Sequence, residues 1–289
     1  MNNYVIITDS ACDIKPSVLE EWGIKYATLS FRFSDDNVEH ADYSMDINEF
    51  YSRMRNGGIA KTAAVNPDDA LRVMEEELKA GNDVLYIGFS TGLSTTYNAF
   101  RIASEELKTK YPERKIYTVD SLAASAGEGL LLYLISRKKK EGATIEESAE
   151  YAVSIRLNIC HWFTVDDLVY LKRGGRVSPT VAFVGNMLGI KPVMHVDNEG
   201  HLINVSKVRG RKNALAALAD KYASDAINKG PGDTIFISHS DCLEDANTLA
   251  AMIKEKTGAD VSIITDVGAV IGAHSGPGTM ALFFVGKER

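Results

Sequence analysis

Hydroxyl-bearing residues and glycines are concentrated in one short turn, residues 88–94, which contains Ser90, Thr91 and Ser94. An apolar stretch before it, residues 84–87, predicts a buried strand, and an amphipathic helix is predicted from near Ser94 to Lys108. The first N–H groups of a helix have no partner within the helix, so together with hydroxyls they can hold an anion. The spacing matches neither a P-loop nor a dinucleotide fingerprint, which argues against direct nucleotide binding. The same residues also suit an ordinary turn and helix cap, and both interpretations stay open at this point.

Two residues elsewhere in the chain could add to such an anion site. Thr62 lies in the loop 61–67, just before a predicted helix, where its hydroxyl is either a second donor or an ordinary loop group. His274 is followed by Ser-Gly-Pro-Gly, a tight loop that would hold the imidazole near the start of a strand. A neutral imidazole there can donate one N–H to a carboxylate, and its charge can change near pH 7.

Charged residues offer two further hypotheses. Asp9, Asp13 and Asp120 follow predicted strands, where carboxylates can bind a metal but more commonly cap the next helix. Basic residues cluster in two loops, residues 172–176 and 207–212, of an otherwise acidic chain. These clusters are either a solvated face or a docking patch for a phosphate-handling partner, because arginine recognises phosphate well.

The overall composition is that of a globular protein. The chain has 289 residues, of which 45% are apolar and 25% charged, and its net charge of −7 argues against general nucleic-acid binding. Its three cysteines are far apart and lack metal-ligand spacing, which favours free thiols in a reducing cytoplasm. The first residues do not have the pattern of a signal peptide, and the longest apolar run, residues 130–135, is too short to span a bilayer. The sequence therefore predicts a cytoplasmic protein.

Strands and helices alternate through the first half of the chain, which predicts a mostly parallel sheet with helices on both faces. Asn66-Pro67 is a strong helix start, and Thr144 with Glu147 forms a capping box. One strand is expected within residues 24–33, followed by a polar insertion near residues 34–58. Ligands of such sheets bind beyond the carboxyl ends of the strands, which is where the turn 88–94 lies.

After about residue 158 the pattern changes. A hairpin is predicted over residues 191–207, and Ser178-Pro179 indicates a short helix. The expected fold class is therefore α/β with two domains. A parallel-sheet, three-layer α/β/α N-terminal domain would cover residues 1–157, and a mixed-sheet α/β C-terminal domain would cover residues 158–289, with the ligand between them. The apolar stretches 181–187 and 280–285 could line the ligand cleft between the two domains, or they could belong to the hydrophobic core.

The motifs occur in the order that is typical of the DegV family, which the whole chain resembles. They are Thr8-Asp9-Ser10 with Cys12-Asp13, Thr62 before Asn66-Pro67, Ser90-Thr91-Gly92-Leu93-Ser94, Asp120-Ser121, Asp166-Asp167-Leu168 through Lys172-Arg173-Gly174-Gly175-Arg176, Lys191-Pro192, Arg209-Gly210 and His274-Ser275-Gly276-Pro277-Gly278. One departure is in the loop 61–67, where Ala63 and Ala64 replace polar residues of the family pattern.

The resemblance implies a function. Members of this bacterial family bind one long-chain fatty acid between their domains, and the family includes the binding subunit of fatty acid kinase. A separate kinase subunit makes the acyl phosphate that is used for phospholipid synthesis. By this resemblance the carboxylate is held by Thr62, Ser94, Thr95 and His274, while Arg173 and Arg209 face the kinase partner. No cofactor or metal is expected, the chain alone is not expected to be an enzyme, and transient membrane contact is left open.

Two alternatives from other classes remain at this stage. A small-molecule hydrolase or phosphotransferase using Ser94 would need a base beside that serine, and no sequence signature supplies one. A regulatory lipid sensor would bind the same ligand without needing a kinase. Turnover of esters or ATP by the chain alone would favour the first alternative. A search for bound partner proteins distinguishes the second from a protein that acts with a kinase.

Overall fold

A computed structural model describes residues 3–36, 38–177 and 189–289. The strands are β1 Tyr4–Asp9, β2 Ile24–Ala27, β3 Ser30–Phe33, β4 His40–Ala41, β5 Ala60–Ala63, β6 Asp83–Gly88, β7 Ile116–Asp120, β8 Ile159–Thr164, β9 Ile190–Val196, β10 Leu202–Arg209, β11 Ile235–His239, β12 Ile263–Asp266 and β13 Met280–Val285. The α-helices are α1 Pro16–Trp22, α2 Ile47–Arg55, α3 Pro67–Lys79, α4 Thr96–Lys110, α5 Ala126–Lys140, α6 Ile145–Ile155, α7 Val169–Arg173, α8 Arg211–Asp225, α9 Leu243–Thr257 and α10 Ala269–Ser275.

The N-terminal half is built on a parallel four-stranded sheet with the order β2-β1-β6-β7. One face is covered by α1, α5 and α6, and the other by α3 and α4. The caps predicted from sequence are present: the Asn66 side chain accepts the Asp68 N–H, and Thr144 with Glu147 forms the capping box. The predicted parallel, three-layer arrangement is therefore confirmed.

The C-terminal half is built on a six-stranded sheet with the order β10-β9-β8-β13-β11-β12. β11 and β12 are parallel, and the other neighbouring strands are antiparallel. Helices α8 and α9 pack on one face through a core that includes Leu218, Leu249 and Phe284. The predicted mixed sheet and the β9–β10 hairpin are confirmed.

A third, small sheet with the order β4-β3-β5 was not expected. The prediction of one strand within residues 24–33 is wrong, because β2 and β3 belong to different sheets. The chain changes direction between them: the Leu29 N–H donates to Ser10 Oγ at 3.0 Å, and the Leu29 carbonyl accepts the Asp42 N–H at 2.9 Å. These two bonds take Leu29 out of the parallel sheet. The predicted polar insertion thus supplies β4 and α2, which support the strand that carries Thr62.

Helix α5 lies between the two large sheets and contacts β8, β11 and β13 as well as the N-terminal core. It begins at Ala126, because Leu122 and Ser125, which come just before it, have positive φ values of 51° and 54°. The boundary between residues 157 and 158 stays a prediction. It falls in a short 3-10 helix, Arg156–Asn158.

Two sequence-based expectations lie outside the described residues: the helix at Ser178-Pro179 and the apolar stretch 181–187. Within the described ranges, no helix has the length and apolar content that crossing a bilayer requires. In the described residues, the buried apolar side chains form four clusters, and α5 contributes to the largest of them.

Candidate functional site

A cavity of about 470 Å³ lies between loops that follow the strands of the parallel sheet and strands of the six-stranded sheet. Its walls are mainly apolar and come from both halves of the chain, as in Leu29 and Phe89 from the N-terminal half and Phe163 and Phe283 from the C-terminal half. The polar residues predicted to bind a carboxylate all line this cavity: Thr62, Ser94, Thr95 and His274. Thr95 is exposed while Phe163 and Phe283 are buried, so the lining changes from polar and accessible to apolar and enclosed.

Thr62 and His274 meet directly at this cavity. Thr62 is on β5, which the pairing with β3 holds in place, and His274 is in the last turn of α10. The Thr62 Oγ1 and His274 Nε2 atoms are 2.8 Å apart. Two residues that are 212 positions apart in sequence thereby form one polar pair.

The environment of His274 keeps its imidazole neutral. Burial, and after it the positive charge of Arg176, lower the pKa of His274 from 6.5 to about 4. Its Nδ1 atom has no hydrogen-bond partner among the described residues and faces Gly174, where a Cβ atom would collide with it. The proton is therefore best assigned to Nε2, which donates to Thr62 Oγ1. This assignment leaves the Thr62 hydroxyl proton available for a ligand.

The turn that carries Ser94 differs in detail from the predicted anion cradle. Helix α4 begins at Thr96, and the Ser94 N–H is already bonded to the Ser90 carbonyl at 3.1 Å. Ser94 Oγ accepts the Thr96 N–H at 3.2 Å and lies 3.1 Å from Thr96 Oγ1, to which it donates. The Thr95 and Tyr97 N–H groups, in contrast, have no partner among the described residues. Of these two residues only Thr95 is among the described residues that line the cavity, so its N–H is the backbone donor that this helix start offers to an anion there.

Arg176 is the cavity residue that sequence reasoning missed. The sequence places it in the basic cluster 172–176 and in the motif that ends at Arg176, and the structure shows that its side chain is partly buried and lines the cavity. Its Nε donates to the Leu93 carbonyl at 3.1 Å, and its Nη1 donates to the Gly174 carbonyl. Burial lowers the pKa of the guanidinium, which remains charged at neutral pH. A cation thus stands beside the polar end of the cavity.

Arg173 and Arg209 are exposed and are not among the described residues that line the cavity. The Arg173 guanidinium lies 5.6 Å from the centre of the Tyr170 ring, and Arg209 is the last residue of β10. Close to Arg173 in sequence, Asp166 forms ion pairs with residues of β9 and α8: its Oδ1 is 2.7 Å from Lys191 Nζ and 3.6 Å from Arg211 Nη1. Both arginines are therefore surface residues outside the cavity.

The acidic residues at the strand ends act as hydrogen-bond acceptors for backbone groups. Asp9 accepts the Ala11 and Phe89 N–H groups at 3.1 Å each, and burial raises its pKa to about 6. Asp13 accepts the Gly268 N–H at 2.9 Å, and Asp120 accepts the Leu122 N–H at 3.0 Å. In the part of the chain that the structure describes, no group of three or more His, Cys, Asp or Glu side chains is placed to hold a metal ion.

Comparison with known proteins gives the family. The DegV family model matches residues 3–287. A DegV domain-containing protein of Clostridium perfringens is 42% identical over 100% of this chain and 99% of its own length. Among solved structures, a DegV lipid-binding protein of Thermotoga maritima is 30% identical, with a TM-score of 0.86 and 99% of each chain covered. A second Thermotoga maritima protein, described as having a fatty acid binding function, is 28% identical, with a TM-score of 0.85, and the match covers 99% of this chain and 100% of that one.

The fold and the cavity define a two-domain α/β protein with a mainly apolar cavity that ends in hydroxyl, imidazole and guanidinium groups. The chain belongs to the DegV family.

Proposed function

We propose that this protein binds one long-chain fatty acid, with the carboxylate at Thr62, Ser94, Thr95 and His274, and presents it to a separate kinase subunit. The observation that carries the proposal is the combination of an apolar cavity with a cluster of donors at its accessible end. The DegV neighbours that are described as binding lipid or fatty acid support the ligand class.

The size of the cavity agrees with a long acyl chain. A cavity of roughly 150 Å³ takes up benzene, which corresponds to about 25 Å³ per heavy atom. At that ratio the volume of about 470 Å³ holds roughly 19 heavy atoms, or a carboxylate on a chain of about 16 to 18 carbons. Each buried methylene contributes about 0.8 kcal/mol, so the chain supplies most of the affinity.

The polar end is suited to an ionised carboxylate. The Thr62 hydroxyl and the Thr95 N–H group are donors, and Arg176 provides a positive charge nearby. A buried charge is tolerated when it is hydrogen-bonded and paired in this way. His274 acts in this arrangement by donating to Thr62 Oγ1, which directs the hydroxyl proton of Thr62 toward the ligand.

The groups around Ser94 favour binding over hydrolysis. The hydrogen-bond partner of its hydroxyl is Thr96, a residue that cannot act as a general base. The phosphoryl-transfer chemistry is therefore assigned to a partner. Arg173 and Arg209 are exposed outside the cavity, as docking residues must be. The cytoplasm is the expected location.

Extraction of the purified protein with organic solvent, followed by mass spectrometry, tests the ligand. The expected result is one fatty acid of about 16 to 18 carbons per chain. A protein that is empty after purification and that also fails to bind added palmitate or oleate contradicts the proposal. Heat-unfolded protein carried through the same extraction controls for lipid that adheres non-specifically.

The kinase role has its own test. With a fatty acid kinase subunit and ATP, Arg173→Ala should retain bound palmitate but form acyl phosphate more slowly than the unchanged protein. Arg137→Ala is the matched control, because Arg137 is exposed at the end of α5, on a different element from Arg173. Equal rates for both variants would remove Arg173 from the docking surface.

A further inference from the structure

Ser90 joins the two halves of the chain at the turn that carries Ser94 and Thr95. Its hydroxyl donates to the Gly200 carbonyl at 2.9 Å and accepts the Gly92 N–H at 3.1 Å. Gly200 belongs to the tip of the hairpin between β9 and β10, in the C-terminal half. Ser90 is fully buried, so water cannot take over these bonds if the hydroxyl is lost.

The backbone of Ser90 organises the rest of the turn. Its N–H donates to the Ala123 carbonyl at 3.0 Å, and its carbonyl accepts the Leu93 and Ser94 N–H groups at 3.1 Å each. The residues that immediately precede Thr95 are therefore fixed through Ser90. A displacement of Ser90 would also displace Thr95, whose N–H group has no partner among the described residues and which lines the cavity.

The hairpin tip lies directly on this turn. A Cβ atom on Gly92 would be 2.8 Å from the Gly200 carbonyl oxygen, and a Cβ atom on Gly200 would collide with Ser90 Oγ. Gly200 also has a φ of +79°, which side-chain-bearing residues rarely adopt. This close approach is possible only because both positions are glycine.

We propose that Ser90 and the Gly200 hairpin tip are positioning residues for the carboxylate. By linking the halves of the chain, the Ser90–Gly200 bridge fixes the turn so that the Thr95 N–H group is directed at the ligand head group. Ser90 is not among the described residues that line the cavity, so it acts through the turn and not by touching the ligand. This inference rests on the proposed function and adds to it a contact from the C-terminal half.

The test compares a ligand that has the carboxylate with one that lacks it. Palmitate and hexadecanol share the acyl chain, and each is titrated into the full-length protein against a fluorescent fatty acid. Ser90→Ala and Gly200→Ala should each lower the preference for palmitate over hexadecanol by about threefold to tenfold, the effect of one hydrogen bond. Affinity for hexadecanol should change little, because the apolar walls are untouched. A general loss of structure would instead weaken both ligands together.

Gly210→Ala is the matched control for backbone strain. Gly210 follows β10 at the other end of the same hairpin and has a φ of +87°, and no atom lies within 4 Å of the position that an alanine Cβ would occupy there. The Gly210→Ala variant should leave the preference for palmitate over hexadecanol unchanged. The Ser90→Ala, Gly200→Ala double variant should lose no more than either single variant, because both break the same bridge.

The outcomes separate this inference from the proposed function. If the unchanged protein binds neither ligand, the proposed function fails. If it prefers palmitate and both variants keep that preference, or if the two losses add fully, the positioning role is wrong while fatty-acid binding stands.

Discussion

Neutral His274 should make the folded protein lose stability in mild acid. Burial, with Arg176 nearby, holds its pKa at about 4 in the folded chain, against 6.5 for an ordinary histidine. Between these two pH values the unfolded state binds a proton that the folded state does not bind, so acid favours unfolding. The contribution of His274 is fully present above pH 6.5, decreases as the pH falls, and is lost once the pH passes about 4.

The magnitude follows from the interval between the two pKa values. An interval from 6.5 to about 4 corresponds to roughly 3 kcal/mol, at about 1.36 kcal/mol per pH unit. His274→Gln removes the titration and keeps an amide that can donate to Thr62. Asp9 and Asp42, whose pKa values burial raises to about 6, change stability in the opposite direction, but they are present in both proteins and cancel in the comparison.

Urea unfolding from pH 7.5 to pH 4, on the ligand-free protein and the His274→Gln variant, measures this difference. The free energy of unfolding of the unchanged protein should fall relative to the variant by up to about 3 kcal/mol across the window. Two curves that run parallel over the whole range would refute the reasoning, because His274 would then titrate as an exposed imidazole does.

Other predictions concern the cavity and the docking surface. Thr62→Val should weaken palmitate binding about 10-fold to 100-fold in calorimetry, because it removes a hydrogen bond to a charged group worth about 1.5–3 kcal/mol; the exposed Thr248→Val in α9 is the control. Gly174→Ala should weaken palmitate binding at least about tenfold, because its Cβ would collide with the imidazole that orients the Thr62 hydroxyl; unchanged affinity would show that the imidazole position is unimportant. Arg176→Gln should reduce palmitate affinity in the same assay, while Arg173→Ala leaves it unchanged. If Arg173→Ala reduced the affinity and Arg176→Gln did not, the roles given to these two arginines would be wrong.

Local signals in the sequence were sufficient for much of the fold. The capping residues Asn66 and Thr144 marked true helix starts, and the alternation of apolar strands with helices gave the parallel sheet. These signals are read from neighbouring residues, so they do not depend on the tertiary structure. Where tertiary bonds override local preference, as at Leu29, the prediction failed: one strand became two, in different sheets.

The site was harder to derive because its parts are distant in sequence. The Thr62–His274 pair, the Ser90–Gly200 bridge and the position of Arg176 all depend on contacts between the two halves of the chain. The hydroxyl-rich turn pointed correctly to a cavity-lining segment, but sequence could not show that the Ser94 N–H is bonded within the turn. The resemblance to the DegV family supplied the candidate residues, and the structure adds how they contact one another.

The central claim is that a fatty acid binds with its carboxylate held at the polar end of the cavity. The most direct measurement is ¹³C NMR of palmitate labelled at the carboxyl carbon, bound to the full-length protein. The expected result is one bound resonance at one ligand per chain. The bound carboxyl should stay ionised at pH values where free fatty acid is protonated. A resonance that matches unbound palmitate, or a bound carboxyl that titrates as the free acid does, would contradict the account.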